Sequence, residues 1–449
     1  MLLTETEVHS ACAKLLSYVT ADDAIVKVGS EMQSHLRFAA NTFTTSGYSE
    51  DVSVTVTVWI RGRKGSASSN EIEDRSLQGI VDRAEQAARL SPVDPEYLPT
   101  LGPQNYQPSG RFVDGTVNLP SEIRARTVSE IIARCRKEKV SGAGFHQMTA
   151  SVSTAASKNG NFVPYRSTLA SMSMTSRIAE GQGSGYFLRN HFDISKLDTD
   201  RIASESIKKS LQSRNPRTLD PGKYTVIIEP QAVADLLGFV PFMFDARTAD
   251  EGRSPLSAPG GKTRLGEHLF DERLNFYSDP WHPELPDRCA TREGIAASKF
   301  FLVRGGVVEN LTYNRFWAKK KEKEPSPGPI NSILESSRTP ASQNDMIRDT
   351  TKGLLVSRFW YLRSVDPRTA LITGLTRDGV WYIENGKVQY PVRNFRFNQS
   401  LLQMLAPGNV DLIGSSERVS SSESLGSDSS FLPALKIKEF NFTSQSEAV

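Results

Sequence analysis

Between Val52 and Ile60, apolar and polar residues alternate with a period of two. Val52, Val54, Val56, Val58 and Ile60 share one side, and Ser53, Thr55 and Thr57 take the other. That pattern predicts a half-buried antiparallel strand. Shorter apolar stretches predict strands at 24–28 and 35–39, behind a helix-like stretch from Glu5 to Tyr18. After a turn at 61–65 the period lengthens. From Asp74 to Leu90, the residues Leu77, Ile80, Val81, Ala84, Ala87 and Ala88 fall on one helical face. The order strand, strand, strand, helix predicts an α+β unit over residues 1–100.

Pro92, Pro95, Pro99, Pro103 and Pro108 mark 91–110 as a linker-like passage. A second α+β unit is predicted over 101–216. Its first helix runs from Ser121, the N-cap candidate, to Lys139, with Ile123, Val128, Ile131, Ile132 and Cys135 inward. Strands follow at 145–154, 163–175 and 185–192. A helix from Thr199 to Ser213 is broken by Asn215-Pro216.

The third segment, 217–449, opens with a β-branched run from Tyr224 to Glu229 behind a Pro-Gly turn, which predicts a buried strand. Pro230 stops it, and the apolar run Ala232–Phe244 predicts a helix entering the core. The remainder reads as β-rich. Hairpins are predicted at 294–311, turning at Gly305-Gly306, and at 379–392, where Asn385-Gly386 suits a type I′ turn. The charged, Pro-rich stretch 319–329 is expected to be an exposed loop, and the Ser-rich run 417–430 a flexible one. FLPALKIKEFNF, 431–442, reads as a last strand. The fold class is therefore multi-domain α+β, with two sandwich-like α/β units followed by a β-rich C-terminal domain.

Composition narrows the function. Lys+Arg 54 against Asp+Glu 51 is close to balance, without the basic excess of a nucleic-acid binder, so no nucleic-acid partner is expected. Cys12, Cys135 and Cys289 form no CxxC pair and no disulfide framework, and read as buried or half-buried thiols. No window approaches a membrane-spanning run, and the N-terminus lacks a signal-peptide pattern. A cytoplasmic protein with no membrane partner is expected.

Other chemistry finds weak support. His268 and Glu272 stand four apart, and His282 with Glu284 gives H-x-E, but two ligands do not make a metal site. His9, His35, His146 and His191 have no carboxylate or Cys at ligand spacing. Lys262-Thr263 follows Gly-Gly, but Ser257 stands where a phosphate loop needs its first Gly. Ser254 or Ser257 as a nucleophile would need a His base that no local residue supplies.

Five stretches carry a resemblance that covers about residues 20 to 445. They are RFAANTFTTSGYSEDVSVTVTVWIRGRKGSASSN, the strand-then-helix passage 221–246, DEGRSPLSAPGGKTRLGEHLFDERLNFYSDP, and GLLVSRFWYLRSVDP with the terminal LPALKIKEF. Together they resemble the TldD/PmbA family, called modulators of DNA gyrase and regarded as metallopeptidases. In the catalytic branch of that family, a helix with the same LL lead-in carries HExxxH. Here Leu236-Leu237 is followed by Gly238 and Met243 at the two His positions and by Phe239 at the Glu position.

Catalytic zinc needs imidazole, thiolate or carboxylate ligands, and a general base for its water. Gly and Phe offer no donor, and a lone thioether is too weak. Pro241 also removes an N–H and should kink the helix. The catalytic branch uses a late Cys in a G-x-C-G setting as a ligand, whereas GSDSSFLPAL, 426–435, has none.

The resemblance is thus to the PmbA/TldE branch. It implies a non-metal-binding subunit, without catalytic residues, metal or cofactor of its own. Zinc is expected only in a TldD-like partner, and the pair would act on unfolded peptides. The chain is expected to dimerise with that partner or with itself. Glu251 and Lys262, in the loop after the helix, are the peptide-binding candidates. Two alternatives stand beside this reading: a non-catalytic, self-associating scaffold or peptide-binding protein without a protease partner, and an enzyme using a different site.

Overall fold

The structure, a computed structural model, describes residues 2–178, 182–424 and 426–446. It is α+β and built on two large sheets. Strands β1 (Asp23–Ala39), β2 (Thr42–Ile60), β3 (Arg63–Ser69), β4 (Val140–Ser157), β5 (Phe162–Ile178) and β6 (Ser184–His191) form an antiparallel sheet in the order β3-β2-β1-β4-β5-β6. Segments 1–100 and 101–216 therefore contribute three strands each to one continuous sheet. Its seam is the β1–β4 pairing, which runs from Ile25↔Ser157 to Phe38↔Gly144.

Helices α1 (Glu5–Tyr18), α2 (Asp74–Leu90), α3 (Ser121–Lys137) and α4 (Thr199–Gln212) cover one face of this sheet. Side chains two apart on a strand share a face. Val26 and Val28 of β1 accordingly pack with Val54, Val56 and Val58 against Cys12, Leu15, Leu77 and Ile80. Leu36 and Phe38, further along the same face, meet Val128, Ile131 and Ile202. Each such Val or Leu contributes about 1.5–3 kcal/mol on burial. At the start of α1, Thr4 and Glu7 form a capping box: the Glu7 N–H donates to Thr4 Oγ1 at 3.2 Å, and the Thr4 N–H donates to Glu7 at 2.7 Å.

Two details of α3 differ from the sequence expectation. Pro120, not Ser121, occupies its N-cap, without a side-chain bond. Ile123 is 46% exposed, because the buried stripe of the helix runs through Arg124, Val128, Ile131, Ile132 and Cys135, and Ile123 falls on the exposed face with Glu130. The proline-rich passage 91–110 is also pinned rather than loose. The Asp23 carboxylate accepts from the Thr100 N–H at 2.7 Å and the Tyr97 hydroxyl at 3.0 Å, and the Tyr106 hydroxyl donates to the Gly294 carbonyl at 2.6 Å.

The third segment supplies β7 (Gly222–Ile228), β8 (Leu274–Ser278), β9 (Phe300–Arg304), β10 (Ser332–Ser336), β11 (Lys352–Val356) and β12 (Phe359–Asp366). It continues with β13 (Leu371–Thr376), β14 (Val380–Glu384), β15 (Lys387–Pro391), β16 (Phe395–Ser400), β17 (Val410–Val419) and β18 (Ser430–Gln445). With Val307–Val308 these make a thirteen-stranded sheet among the described residues. The last strand is its seam: β18 pairs with β7, β10, β16 and β17. Leu432, Leu435, Ile437, Phe440 and Phe442 of β18 are buried along it. Both predicted hairpins are present. Asn385 and Gly386 have φ of 49° and 73°, the left-handed pair that a type I′ turn requires.

The Ser-rich run is not a flexible loop. Leu425 lies outside the described residues. Around it, β17 extends to Val419, Ser422–Ser424 form a 3₁₀ turn and β18 begins at Ser430. Ser420 and Ser422 are buried because each finds a partner: Ser420 Oγ donates to the Asp428 carbonyl at 2.9 Å and Ser422 Oγ to the Phe359 carbonyl at 3.2 Å. In 319–329, residues 319–324 are exposed as expected, while 325–329 pack against the domain. No helix among the described residues is long and apolar enough to cross a membrane.

Candidate functional site

The site is built where β7 leaves the middle of the second sheet. Pro230 ends the strand and becomes the first residue of α5 (Pro230–Leu237), where its missing N–H is no loss. Every residue from Gln231 to Leu237 is buried. The helix predicted to run on to Phe244 stops here. A separate short helix, α6 (Val240–Met243), follows, with the Phe239 N–H turned to the Leu236 carbonyl at 3.3 Å. Pro241 accounts for the break, since it has no N–H to offer the Leu237 carbonyl.

The break sends the three motif positions in different directions. Gly238 is exposed, and a Cβ there would meet nothing nearer than the Ala234 carbonyl oxygen at 3.8 Å. Phe239 is half-buried against the C-terminal core. Met243 is 5% exposed and belongs to that core. A backbone position, a hydrocarbon ring and a buried thioether do not fit a zinc ion. Among the described residues, no group of three or more His, Cys, Asp or Glu is placed to hold a metal.

The same helix carries a feature that sequence reading passed over. Asp235 is 2% exposed. One of its carboxylate oxygens accepts from the Ser422 N–H at 2.7 Å, and the other from the Phe359 N–H at 3.0 Å. Burial raises its pKa to about 7, against the opposing pull of these donors and of Arg358. The only signal for it was a single carboxylate inside an apolar helix. Beside it, the Arg358 guanidinium pairs with the buried Asp378 carboxylate, which also accepts from the Ser184 hydroxyl.

The peptide-binding candidates differ in freedom. Glu251 is exposed but engaged: Arg253 and Arg247 both donate to it, and they lower its pKa. Arg247 reaches on to Glu96 at 2.9 Å. Lys262 is exposed in a small hairpin where Ala258 pairs with Lys262, and its amine has no partner among the described residues. The two are therefore not one preformed constellation. Ser254 Oγ donates to the Met243 carbonyl at 2.6 Å and Ser257 Oγ to the Ala249 carbonyl at 2.7 Å, so both hydroxyls hold the loop.

The histidines and cysteines fall elsewhere. His268 bridges to Val307 and Glu272 lies in a turn, so their four-residue spacing is not helical. His282 Nδ1 accepts from the Glu284 N–H at 3.3 Å, and Glu284 lies 3.7 Å from His191. His9 stacks on Phe162 and His35 tilts against Phe145. His146 is buried, with its pKa lowered to about 4 by desolvation. All three cysteines are buried free thiols, and burial raises Cys12 to about 12 and Cys135 to about 11.

Comparison with known proteins places this geometry among relatives. Residues 221–444 match the model of the PmbA/TldA metallopeptidase C-terminal domain, and residues 33–88 match that of PmbA/TldA metallopeptidase domain 1. The chain is 23% identical over 411 residues to Metalloprotease PmbA of Escherichia coli O157:H7, covering 87% of this chain and 86% of that protein. The fold is similar to that of TldE from Thermococcus kodakarensis, with a TM-score of 0.85 at 16% identity over 98% of this chain and all of that one, 100%. It is also similar to a candidate DNA gyrase modulator from Thermotoga maritima, with a TM-score of 0.82 at 15% identity over 97% of this chain and 100% of the other.

Proposed function

The chain belongs to the TldD/PmbA family, and from that premise we propose that it is the non-metal-binding subunit of a two-chain metallopeptidase acting on unfolded peptides. The observation that carries this reading is the fate of the helix after β7. Gly238, Phe239 and Met243 offer no ligand and no base, and they face solvent, a half-buried seam and the core. Water activation at this position has no carboxylate to perform it. The metal and its general base are assigned to a TldD-like partner.

This chain's share of the work would be to enclose and align the peptide. Beside α5, β12 pairs only with β13 among the described residues. Its outer side beyond Arg363 is a free edge on which an extended peptide can add as a strand. Glu251 and Lys262, in the loop that follows α6, are the charged residues proposed to contact the peptide, Lys262 with its amine unengaged.

Co-purification with a family member bearing HExxxH, followed by peptide-cleavage assays of each chain alone and of the pair, tests the reading. Cleavage by the pair, none by this chain alone, and the mass of a two-chain assembly are expected. Cleavage by this chain alone at a rate that a chelator does not change would overturn it. Self-association without any effect on a partner's activity would favour the scaffold instead.

A further inference from the structure

The helix-free face of the first sheet meets the start of β12 across a cleft of about 500 Å³, within the usual range of ligand sites. Strand register fixes its floor. Arg37 lies opposite Phe145, Thr175 opposite Tyr186 and Arg177 opposite Ser184, all on the face turned away from the helices. Arg358, Trp360, Arg377 and Asp378 form the facing wall.

Four arginines and one carboxylate thus line the cleft. Asp378 is already held by Arg358 and Ser184 and has Arg377 at 3.8 Å. Arg37 and Arg177 are exposed, and neither has an acceptor or a carboxylate partner among the described residues. Two donors on the walls also lack an acceptor. Arg358 is 6% exposed and lies over the Tyr186 ring at 3.8 Å and the Trp360 ring at 4.6 Å, with its Nε unbonded. The Tyr186 hydroxyl, on a side chain 6% exposed, makes no hydrogen bond of normal geometry. Buried donors are seldom left in this state, and each is relieved by an acceptor oxygen brought into the cleft. A carboxylate presents such oxygens in the geometry that an arginine fork matches.

We propose that this cleft binds the carboxylate of a peptide segment, from an acidic side chain or from the C-terminus. The choice of a peptide over other carboxylates rests on the peptide-handling role proposed above, and on Trp360, which lines the cleft and belongs to the edge strand β12. The site lies beside α5, because Phe359, between Arg358 and Trp360, donates its N–H to Asp235.

Fluorescence anisotropy on this chain alone, without a partner or cleavage, tests the site apart from the subunit reading. Three labelled peptides of equal length are compared: one with internal Glu residues and an amidated end, one neutral with a free C-terminal carboxylate, and one neutral and amidated. At least one of the first two binds tenfold or more tightly than the third, and the difference shrinks with salt. The winning peptide identifies which carboxylate is read. The double variant Arg37→Ala with Arg177→Ala loses that preference and keeps its melting temperature, since both side chains are exposed and unpaired. Arg83→Ala, on the exposed side of α2, leaves binding unchanged. Equal affinity for the three peptides overturns the proposal whatever the variants do. So does a folded double variant with undiminished preference, or stronger competition by an oligonucleotide than by the acidic peptide. The cleavage assays of the two-chain system can succeed or fail independently of these results.

Discussion

Asp235 and Ser422, 187 residues apart in the chain, are joined by a 2.7 Å hydrogen bond from the Ser422 N–H to the carboxylate. The bond ties α5 to the 3₁₀ turn of the Ser-rich segment, and the second carboxylate oxygen ties both to the start of β12 through Phe359. Three parts of the candidate site are therefore held by one buried acid.

That acid makes stability depend on pH in an unusual direction. Its folded pKa, about 7, lies above its ordinary value of 3.8, so between these limits the folded chain keeps a proton that the unfolded chain releases. Its contribution is full below the ordinary value, falls as pH rises towards 7 and is flat above it. The upper bound over that interval is about 4 kcal/mol. Carboxylates with lowered pKa, such as Glu85, Asp271 and Glu417, lose their contribution only at more acid pH. His146, with its pKa lowered to about 4, adds stability as pH rises through the same range, so the readout is a difference: the melting temperature of the parent relative to Asp235→Asn should fall between about pH 5 and pH 7. The variant should also be destabilised by about 1–3 kcal/mol at pH 5, because its amide faces an N–H donor that it cannot accept. Thermal melts across that range decide it, and an unchanged slope in the variant would count against the assignment.

A second expectation concerns Gly238→His. Gly238 is exposed with φ of −55°, and the space around its missing Cβ is open, so a side chain there meets no clash. Folding should be unaffected or gain roughly 0.5 kcal/mol from a less flexible unfolded chain. The variant should still hold far less than one zinc per chain after dialysis, because Phe239 and Met243 complete no coordination sphere. Stoichiometric zinc by elemental analysis, in the variant or the parent, would contradict the donor argument.

That Gly238 and Phe239 offer no zinc donor is legible in the sequence because ligand chemistry depends on residue type, and no fold is needed to know that Gly and Phe hold no metal. Strand β2 and helix α2 were legible because their periods, two and 3.6, are properties of the local chain. Asp235 was not, since its meaning lies in donors at positions 359 and 422 that only the fold brings close. The Ser-rich turn was misread for the same reason: composition reports how polar a segment is, not that Ser422 finds the Phe359 carbonyl and Asp235. The helix expected from Ala232 to Phe244 ends at Leu237, and the interruption expected from Pro241 divides it into two helices rather than bending one. The arginines of the cleft come from positions 37, 177, 358 and 377, which no motif links.

The Arg358–Asp378 pair should be costly to break. Its side chains are 8% and 2% exposed, and Arg358 also covers the Tyr186 and Trp360 rings. Asp378→Ala would leave the guanidinium buried without its counter-charge, at a cost of about 3–5 kcal/mol. The double variant Arg358→Met with Asp378→Ala should recover a large part of that loss, because the uncompensated charge leaves with its partner. Denaturant midpoints for the two single variants and the double variant give the coupling, and additive losses would refute it.

The last expectation separates Lys262 from Glu251 in the reconstituted two-chain protease. Lys262 is exposed, with its amine unengaged, so it is available to a peptide at no cost to the loop. Glu251 is committed to Arg247 and Arg253, and Arg247 is in turn tied to Glu96. Lys262→Ala should therefore raise KM for acidic peptides by up to roughly tenfold, with kcat nearly unchanged, as expected for contacts made equally in ground and transition states. Its effect should diminish at high salt, because an exposed charge is screened. Glu251→Gln should act on the loop instead: it removes a negative charge and frees two arginines, so acidic peptides should bind no worse. Steady-state kinetics with matched acidic and neutral peptides distinguish the two. A kcat that collapses in either variant would place that residue in the chemistry itself, and would remove the reason for assigning the reaction to the partner.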